Sequence, residues 1–265
     1  MELANSRVLI TGATGGLGTA IARELHGRGA TVLLSGRQAE VLERLRAELV
    51  ERAEVLPADL SDSAAPAALA AQAGRVDALV ANAGLPASGA LTSFESGQID
   101  RALDVNLRAP IQLAHALAPA MKERGYGHMV FISSVSGKVA VAGSSLYSAT
   151  KFGLRGFALG LREDLYGSGV GVTTVFPGFI SDAGMFADSG VELPAYVRTR
   201  KPEHVARAVA RGIEHDKLEI DVAPLSIRAS AKLAGAAPGV VAAAQRRLGG
   251  GAIAAAIAEG QADKR

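Results

Sequence analysis

A tyrosine and a lysine four residues apart are the residues of this 265-residue chain best suited to acid–base chemistry. Tyr147 and Lys151 lie in a run with helical spacing of apolar residues, so they share one helix face and can reach each other. A phenol with a pKa of about 10 is a poor acid or base at neutral pH, but a neighbouring ammonium favours its phenolate. We therefore expect Lys151 to lower the pKa of Tyr147 and to make it a general acid and base.

Two further polar residues are candidates for the same site. Ser134 belongs to a group of serines that directly follows an apolar run, and Asn106 interrupts a helical pattern earlier in the chain. The carboxyl ends of neighbouring parallel strands meet in one crevice, where both side chains can approach Tyr147. We expect Ser134 to bind the substrate oxygen and Asn106 to position Lys151 through water.

A glycine-rich turn, TGATGGLG at residues 11–18, leaves the first predicted strand and enters a helix that begins near Leu17. Gly12 permits the sharp turn, Gly16 lets a pyrophosphate approach, and Gly18 lets the helix pack close to the sheet. The positive end of the helix then faces the phosphates. The spacing G-x-x-x-G-x-G is a variant of the dinucleotide fingerprint, and on its own it is weak evidence because other tight turns also use glycine.

The residues after the second and third predicted strands indicate which dinucleotide binds. Ser35-Gly36-Arg37 stands where an NAD-binding protein normally carries a carboxylate for the ribose hydroxyls, and Arg37 offers a forked donor to a 2′-phosphate. This pattern favours NADP over NAD, the alternative being that Arg37 is an ordinary solvated arginine. Asp59 and Leu60 could pair with the adenine amino group and cover its face, or Asp59 could only cap a turn.

The elements that must position these residues follow one another in alternation. Seven β-type runs are separated by helical patterns, which predicts an α/β doubly wound Rossmann fold with a seven-stranded parallel sheet and helices on both faces. The strands are predicted at 7–11, 31–35, 53–57, 77–81, 128–133, 171–176 and 218–222, and the helices at 17–28, 40–51, 64–73, 99–124, 145–166 and 203–214. No linker divides residues 1–222, which we expect to form one dinucleotide-binding and catalytic domain.

Two segments depart from this alternation. Residues 178–201 form a long connection that is typical of a substrate lid, with six large apolar residues: Phe179, Ile180, Met185, Phe186, Leu193 and Tyr196. Residues 223–265 are rich in alanine and carry a net charge of +4, and we expect one or two short helices that extend the same domain. This extension is expected to pack over the lid or a partner subunit. The alternative, a basic helix on an anionic membrane, is disfavoured because alanine buries little surface in lipid.

Composition excludes several classes of protein and site. The chain has no cysteine, which excludes disulfides, thiolate zinc sites, iron–sulfur clusters and a cysteine nucleophile. No run approaches the roughly 20 apolar residues of a membrane span, and the N-terminus does not resemble a secretory signal. A net charge of +2, without a basic run and with 4% aromatic residues, argues against nucleic acid. No grouping of His, Asp and Glu predicts a metal site, and a cytoplasmic location is expected.

Together these motifs resemble the short-chain dehydrogenase/reductase family of the single-domain Rossmann type. The resemblance covers residues 5–222, and its pieces stand in the family's order and spacing: TGATGGLG at 11–18, Asp59-Leu60, ANAG at 81–84, VN at 105–106, ISSVSG at 132–137, YSATK at 147–151 and PG at 177–178. It implies an oxidoreductase that interconverts a carbonyl and a secondary alcohol, with Tyr147 as acid and base and Ser134 orienting the substrate. Lys151 would bind the cofactor ribose and Asn106 would join a proton relay.

The resemblance and the glycine turn also imply a set of cofactor contacts and a mode of assembly. The candidate cofactor-binding residues are Gly12, Thr14, Gly16, Leu17, Gly18, Arg37, Asp59, Leu60, Asn82, Ala83, Gly84, Tyr147, Lys151, Pro177, Gly178 and Ile180. The helices predicted at 99–124 and 145–166 resemble the family's dimer interface, which implies a homodimer or homotetramer. The apolar lid favours a hydrophobic substrate.

The sequence departs from the family pattern at three places. Ala81 replaces a frequent asparagine, Asp182 replaces a threonine that commonly touches the cofactor, and about 40 residues follow the last strand. An acidic side chain near a pyrophosphate is repelled, so the lid is expected to take its own course.

Two other functions are alternatives on the same residues. An NADPH-binding sensor or scaffold without turnover is the main alternative, although it has no need of the Ser134, Tyr147 and Lys151 set. An epimerase or dehydratase would carry an additional substrate domain.

Overall fold

A parallel sheet of seven strands forms the centre of the molecule, as seen in a computed structural model that describes residues 1–191, 198–247 and 250–261. The strand order is β3-β2-β1-β4-β5-β6-β7, and every neighbouring pair is parallel. The strands are β1 (Arg7–Thr11), β2 (Thr31–Gly36), β3 (Ala53–Pro57), β4 (Ala78–Ala81), β5 (Gly127–Ile132), β6 (Val170–Pro177) and β7 (Glu219–Val222). The predicted doubly wound α/β fold is confirmed.

Helices follow the strands in the order that the apolar spacing predicts. Those of the sheet region are α1 (Gly16–Gly27), α2 (Ala39–Leu49), α3 (Ala65–Ala73), α4 (Ser96–Leu103), α5 (Ala109–Arg124), α6 (Ser145–Asp164) and α7 (Pro202–His215). The single helix predicted at 99–124 is divided, because a π-helical turn at Asp104–Arg108 separates α4 from α5.

The strands form because both faces of the sheet are covered. In β1, Val8 and Ile10 belong to one buried core while Leu9 belongs to the other, since successive side chains point to opposite faces. Helices α1, α2 and α7 cover the first face, and α3, α5 and α6 cover the second. Strands that are buried on both faces appear in a sequence as continuous apolar runs, which is why the predicted bounds agree closely with those observed.

The strand order reverses between β1 and β4, which lie side by side although β2 and β3 intervene in the sequence. A reversal of this kind opens a crevice at the carboxyl edge of the sheet, where ligands of doubly wound proteins bind. The segments after β1, β4, β5 and β6 all begin at this edge.

The C-terminal extension contains three helices within its described residues, so the expectation of one or two was wrong. They are α8 (Leu225–Ala236), α9 (Pro238–Arg247) and α10 (Gly250–Gly260). Pro238 separates the first two, because proline lacks the amide hydrogen that continues a helix but is well suited to the first turn of a new one. Leu193 and Tyr196 of the predicted lid and Leu248 of the extension lie outside the described residues.

None of the helices, as far as the chain is described, is long and apolar enough to cross a membrane. The described residues also contain no group of three His, Asp or Glu side chains that could hold a metal ion.

Candidate active site

The glycine turn after β1 is required by close packing of the backbone. Gly12 has a φ of +66°, and a Cβ on it would lie 2.8 Å from the Cα of Ala83. A Cβ on Gly18 would collide with the Gly12 carbonyl oxygen, so α1 can start against the turn only if this residue is glycine. Both glycines hold the amino end of α1 beside the loop after β4.

The space beside Gly16 is filled by the protein itself. A Cβ on Gly16 would collide with the side chain of Ala183, and Gly184 lies against Leu17. The sequence predicts that a pyrophosphate lies in this space, whereas in the structure the segment after β6 approaches the turn. Asp182 precedes this contact with a φ of +68°, and its side chain accepts a hydrogen bond from the Ser181 hydroxyl at 3.2 Å.

Asn82 ties the loop after β4 to the glycine turn. Its Nδ2 donates to the carbonyl oxygens of Thr11 at 3.0 Å and Gly12 at 3.2 Å. The Thr11 hydroxyl oxygen in turn accepts from the backbone amides of Asn82 and Ala83, each at 3.1 Å. Thr11 was not singled out in the sequence, although a hydroxyl at the end of β1 is the signal that could have identified it.

The end of β2 holds the residues that would discriminate between nucleotides. Arg37 is exposed, Thr14 lies against Gly36, and the Ser35 hydroxyl is buried without a hydrogen-bond partner. Burial opposes ionisation of Asp59, but hydrogen bonds from Ser61 and the charges of Arg37 and Arg101 outweigh it and lower its pKa.

The Asp59 carboxylate also caps a turn. One of its oxygens accepts both the Ser61 amide, at 3.0 Å, and the Ser61 hydroxyl, at 2.8 Å. This is the turn-capping arrangement weighed against an adenine contact. The next residue, Leu60, is buried in the core that includes α3.

Asn106 lies in the π-helical turn and is completely buried. Its Oδ1 accepts from the Leu85 amide at 2.7 Å, and its Nδ2 donates to the Leu85 carbonyl oxygen at 3.0 Å. A Cβ on Gly84 would lie 3.3 Å from Asn106 Oδ1 and 3.8 Å from Lys151 Nζ, so the two polar groups flank this glycine. The amide thus clamps the loop after β4, and its link to Lys151 through water stays a prediction.

Ser134, Tyr147 and Lys151 come together at the carboxyl ends of β5 and β6. The Ser134 hydroxyl lies close enough to the Tyr147 phenol to favour its ionised form. Lys151 Nζ donates to the Ile132 carbonyl oxygen at 3.0 Å and lies 5.7 Å from the centre of the Tyr147 ring. The adjacent serine, Ser133, was not given a role from the sequence, yet its hydroxyl donates to the Lys151 carbonyl oxygen at 3.0 Å and fixes α6 to β5.

Burial determines the protonation of this group. It raises the pKa of Tyr147 to about 12, although the neighbouring Ser134 hydroxyl acts in the opposite direction. It also lowers the pKa of Lys151 to about 8. The expectation that Lys151 lowers the pKa of Tyr147 was wrong for this structure, because the loss of water around the phenol dominates and the ammonium points to a backbone carbonyl.

These residues open into a largely apolar cavity of about 550 Å³. Ser134, Tyr147 and Lys151 lie on one side of it with Leu17, Asn82, Pro177, Gly178 and Ile180, which are candidates for cofactor contacts. The segment after β6 lines a further part with Phe179, Met185 and Phe186. The volume lies in the range of small-molecule sites.

The C-terminal extension packs over the segment after β6, as expected from the sequence. Gln261 Nε2 donates to the Met185 carbonyl oxygen at 2.8 Å, and a Cβ on Gly260 would collide with the backbone of Ser189. Farther along, Ile180 and Arg200 form an isolated parallel bridge that closes the base of the segment.

The residues present fit a nicotinamide dinucleotide at three points. Lys151 has a buried ammonium with one hydrogen bond to the protein and two further N–H groups for ligand hydroxyls. The buried Ser35 hydroxyl at the end of β2 has no hydrogen-bond partner in the protein, and the backbone of the glycine turn allows the dinucleotide to approach closely. The segment around Ala183 would have to move away from Gly16 to admit a pyrophosphate there.

Comparison with known proteins gives consistent matches. A family model described as short chain dehydrogenase matches residues 6–192. Over 227 residues, the chain is 36% identical to "Ketoacyl reductase HetN" of a Nostoc species, a match that covers 83% of this chain and 79% of the relative.

Solved structures share the whole fold. A short-chain dehydrogenase from Streptomyces avermitilis superposes with a TM-score of 0.78 at 28% identity, covering 95% of this chain and 99% of that one. A short-chain dehydrogenase from Sphingobium yanoikuyae in complex with NADPH has a TM-score of 0.77 at 30% identity, covering 89% and 94%.

Proposed function

This chain belongs to the short-chain dehydrogenase family of oxidoreductases, and on that premise we propose that it prefers NADP and interconverts a carbonyl and a secondary alcohol on a hydrophobic substrate. The observation that carries the proposal is the convergence of Ser134, Tyr147 and Lys151 in one apolar cavity beside the candidate cofactor residues. Apolar walls exclude water from the reacting groups, and fixed polar groups orient a substrate oxygen.

Tyr147 supplies the proton in this proposal. With a pKa of about 12 its phenol is protonated at neutral pH, so it can donate to the oxygen of a carbonyl that is being reduced. The hydroxyl of Ser134 lies near the same phenol and would hold the substrate oxygen between the two groups. The bound nicotinamide nucleotide would supply the hydride.

Lys151 would bind the ribose of the nucleotide and keep a positive charge near the phenol. Its ammonium is buried and has a single hydrogen bond to the protein, so ligand hydroxyls would satisfy donors that the fold leaves available. Asn106 acts at a distance, because its clamp on Leu85 holds the loop after β4 in place.

The preference for NADP rests on Arg37. It follows β2 directly and is exposed, and the sequence at the end of that strand, Ser35-Gly36-Arg37, contains no carboxylate. A guanidinium can make two charge-assisted hydrogen bonds to a 2′-phosphate. The relative from Sphingobium yanoikuyae, whose structure contains NADPH, supports the same assignment by analogy.

Substitution of Tyr147 by phenylalanine tests the catalytic part. We expect the rate of NADPH oxidation with apolar ketones to fall by a factor of about 100 to 10,000, with the NADPH dissociation constant changed by less than about twofold. Tyr166→Phe is the matched control, because Tyr166 is 88% exposed, follows α6 and is not among the residues that line the cavity. Turnover that survives in Tyr147→Phe would refute the assignment. Tight NADPH binding without turnover of any ketone by the wild type would favour the sensor or scaffold.

Substitution of Arg37 by alanine tests the cofactor preference. NADPH affinity should fall by about 10-fold to 100-fold while NADH affinity stays unchanged, since only NADPH carries the 2′-phosphate. Arg44→Ala, an exposed arginine on α2, serves as the control for general loss of positive charge. Equal losses for both nucleotides would contradict the role of Arg37.

The assembly and the location are further parts of the proposal. We expect a homodimer or homotetramer formed through α5 and α6, supported by Phe152 of α6, which is 42% exposed. Light scattering of the purified protein together with Phe152→Glu tests this, since a buried carboxylate would dissociate the oligomer.

A cytoplasmic location agrees with the lack of cysteine.

A further inference from the structure

The C-terminal extension forms one wall of the active-site cavity. All three of its helices reach the cavity, although the family resemblance ends before them. The lining residues from this extension are Ser226, Ile227 and Ser230 of α8, Gln245 of α9, and Ala254 and Ile257 of α10. A part of the chain that carries none of the recognised motifs therefore faces the space in which Tyr147 would act.

This wall is held in place at its far end. Gln261 is 4% exposed and donates to the Met185 carbonyl oxygen at 2.8 Å, while Gly260 packs directly on the backbone of Ser189. Near its start, α10 approaches the loop that leads into α6, since a Cβ on Gly143 would lie 3.8 Å from the Cβ of Ala254. The helix α10 therefore contacts both neighbouring segments, and its side chains Ala254 and Ile257 line the cavity.

The other walls are mostly apolar. Val139 and Val141, which follow β5, line the cavity, and so do Phe179 and Phe186, whose rings meet edge to face with centres 5.0 Å apart. Such surfaces bind a ligand more tightly for each apolar group that is transferred out of water.

The charges that line the cavity have one sign. No acidic side chain lies among the described residues of its wall, and the cations there are Lys151, at the catalytic end, and Arg198, which is exposed. A cationic ligand would lose its hydration without gaining a partner, which is costly.

From these four observations we infer that the substrate is an apolar, non-cationic carbonyl compound whose body extends from Tyr147 to the C-terminal extension, and that Ile257, with Ala254, sets its maximum length. The inference rests on the proposed function and adds the substrate class and a specificity-determining residue. Ile257 is partly exposed to the cavity and lies one helical turn from Ala254 on the same face of α10.

A series of methyl ketones from 2-butanone to 2-dodecanone measures this length. For the wild type, kcat/KM with NADPH should rise about fourfold for each added methylene group, because each buries further apolar surface, until the chain reaches α10 and the increase stops. Binding of the same ketones is followed independently by the shift in thermal unfolding temperature, which requires no turnover.

Two substitutions at Ile257 should move the limit in opposite directions. Ile257→Ala should extend the longest accepted chain by about two to three carbons, and Ile257→Phe should shorten it, with NADPH affinity unchanged in both. Ala255→Leu is the matched control, because Ala255 lies on the same helix, is exposed, and is not part of the cavity wall. If an Ile257 variant does not fold, Ala254→Leu provides the shortening arm and Ile227→Ala, on α8, the lengthening arm.

A matched ligand tests the charge argument. A methyl ketone that ends in an ammonium group should bind at least about tenfold more weakly than the uncharged ketone of equal length. Equal binding of the two would overturn the non-cationic part of the inference.

The outcomes separate the inference from the function on which it rests. If the length limit in both turnover and binding is the same for wild type, Ile257→Ala and Ile257→Phe, the extension does not contact the substrate and the inference is overturned. If the limit moves in the binding series while NADPH is never oxidised, the cavity assignment stands and the proposed oxidoreductase activity fails.

Discussion

The burial of Lys151 leads to a quantitative prediction about stability. The residue is 3% exposed, and burial lowers the pKa of its ammonium from 10.5 to about 8. One pKa unit corresponds to about 1.36 kcal/mol, so at neutral pH the charged form costs roughly 3 kcal/mol of folding free energy relative to a lysine in water. Lys151→Met removes the charge and keeps a side chain of similar length.

The pH dependence of this cost has a definite sign. Between pH 8 and 10.5 the unfolded chain retains the proton that the folded chain has released, so the free energy of unfolding rises with pH in this window. Below pH 8 both states are protonated and the cost is constant. The stability of the wild type relative to Lys151→Met should therefore increase by about 2 to 3 kcal/mol between pH 7 and pH 10.

Urea unfolding followed by circular dichroism measures this difference at several pH values. Subtraction of the Lys151→Met curve cancels the titration of groups common to both proteins, including Tyr147, whose pKa burial raises to about 12. Lys122→Met, at an exposed position on α5, is the control and should show no change with pH relative to the wild type. A difference that stays flat, or falls as the pH rises, would refute the claim that Lys151 is buried as a strained ammonium.

The remaining predictions concern the turn, a buried histidine and the π-helical turn. Gly18→Ala should destabilise the fold by about 1–3 kcal/mol and abolish NADPH binding, because the new Cβ would collide with the Gly12 carbonyl oxygen. A nucleotide titration of this variant that matches the wild type would contradict the prediction. Burial lowers the pKa of His128 from 6.5 to about 4. As the pH decreases, the unfolded chain therefore binds the proton before the folded chain does. The free energy of unfolding should fall by up to about 3 kcal/mol between pH 6.5 and pH 4. This slope should be absent in His128→Gln, and equal slopes in urea unfolding would count against it. Asn106→Ala leaves both backbone groups of Leu85 without their partner and should cost about 2–4 kcal/mol, with Asn106→Asp intermediate in thermal unfolding.

The individual strands and helices were predictable because each depends mainly on the pattern of apolar residues within it. The run DALVA at 77–81 predicts a strand, and β4 covers Ala78–Ala81. Asp77 directly precedes it, donates its amide to the Arg7 carbonyl oxygen at 2.8 Å and accepts the Arg7 amide with its carboxylate at 3.0 Å. Helix bounds agree in the same way wherever apolar spacing continues to the end of the element.

The residues of the proposed catalytic group were also indicated by the sequence. Four-residue spacing on one helix brings Tyr147 and Lys151 to one face, and the order of strands brings Ser134 to the same edge of the sheet. These relations depend on helix geometry and parallel topology, both of which leave a signature in the residue pattern.

The properties of the site depend on what surrounds it, and only the tertiary structure determines that. The sequence led to the expectation of a lowered pKa for Tyr147, but the pKa is raised, because distant segments remove water from the phenol. Likewise, Ala183 covers Gly16, and Ile257, 110 positions beyond Tyr147, lines the same cavity. Spacing along a chain specifies which side chains share a helix or a strand end. Desolvation and the shape of a cavity arise from contacts between segments far apart in the sequence, and no local pattern records them.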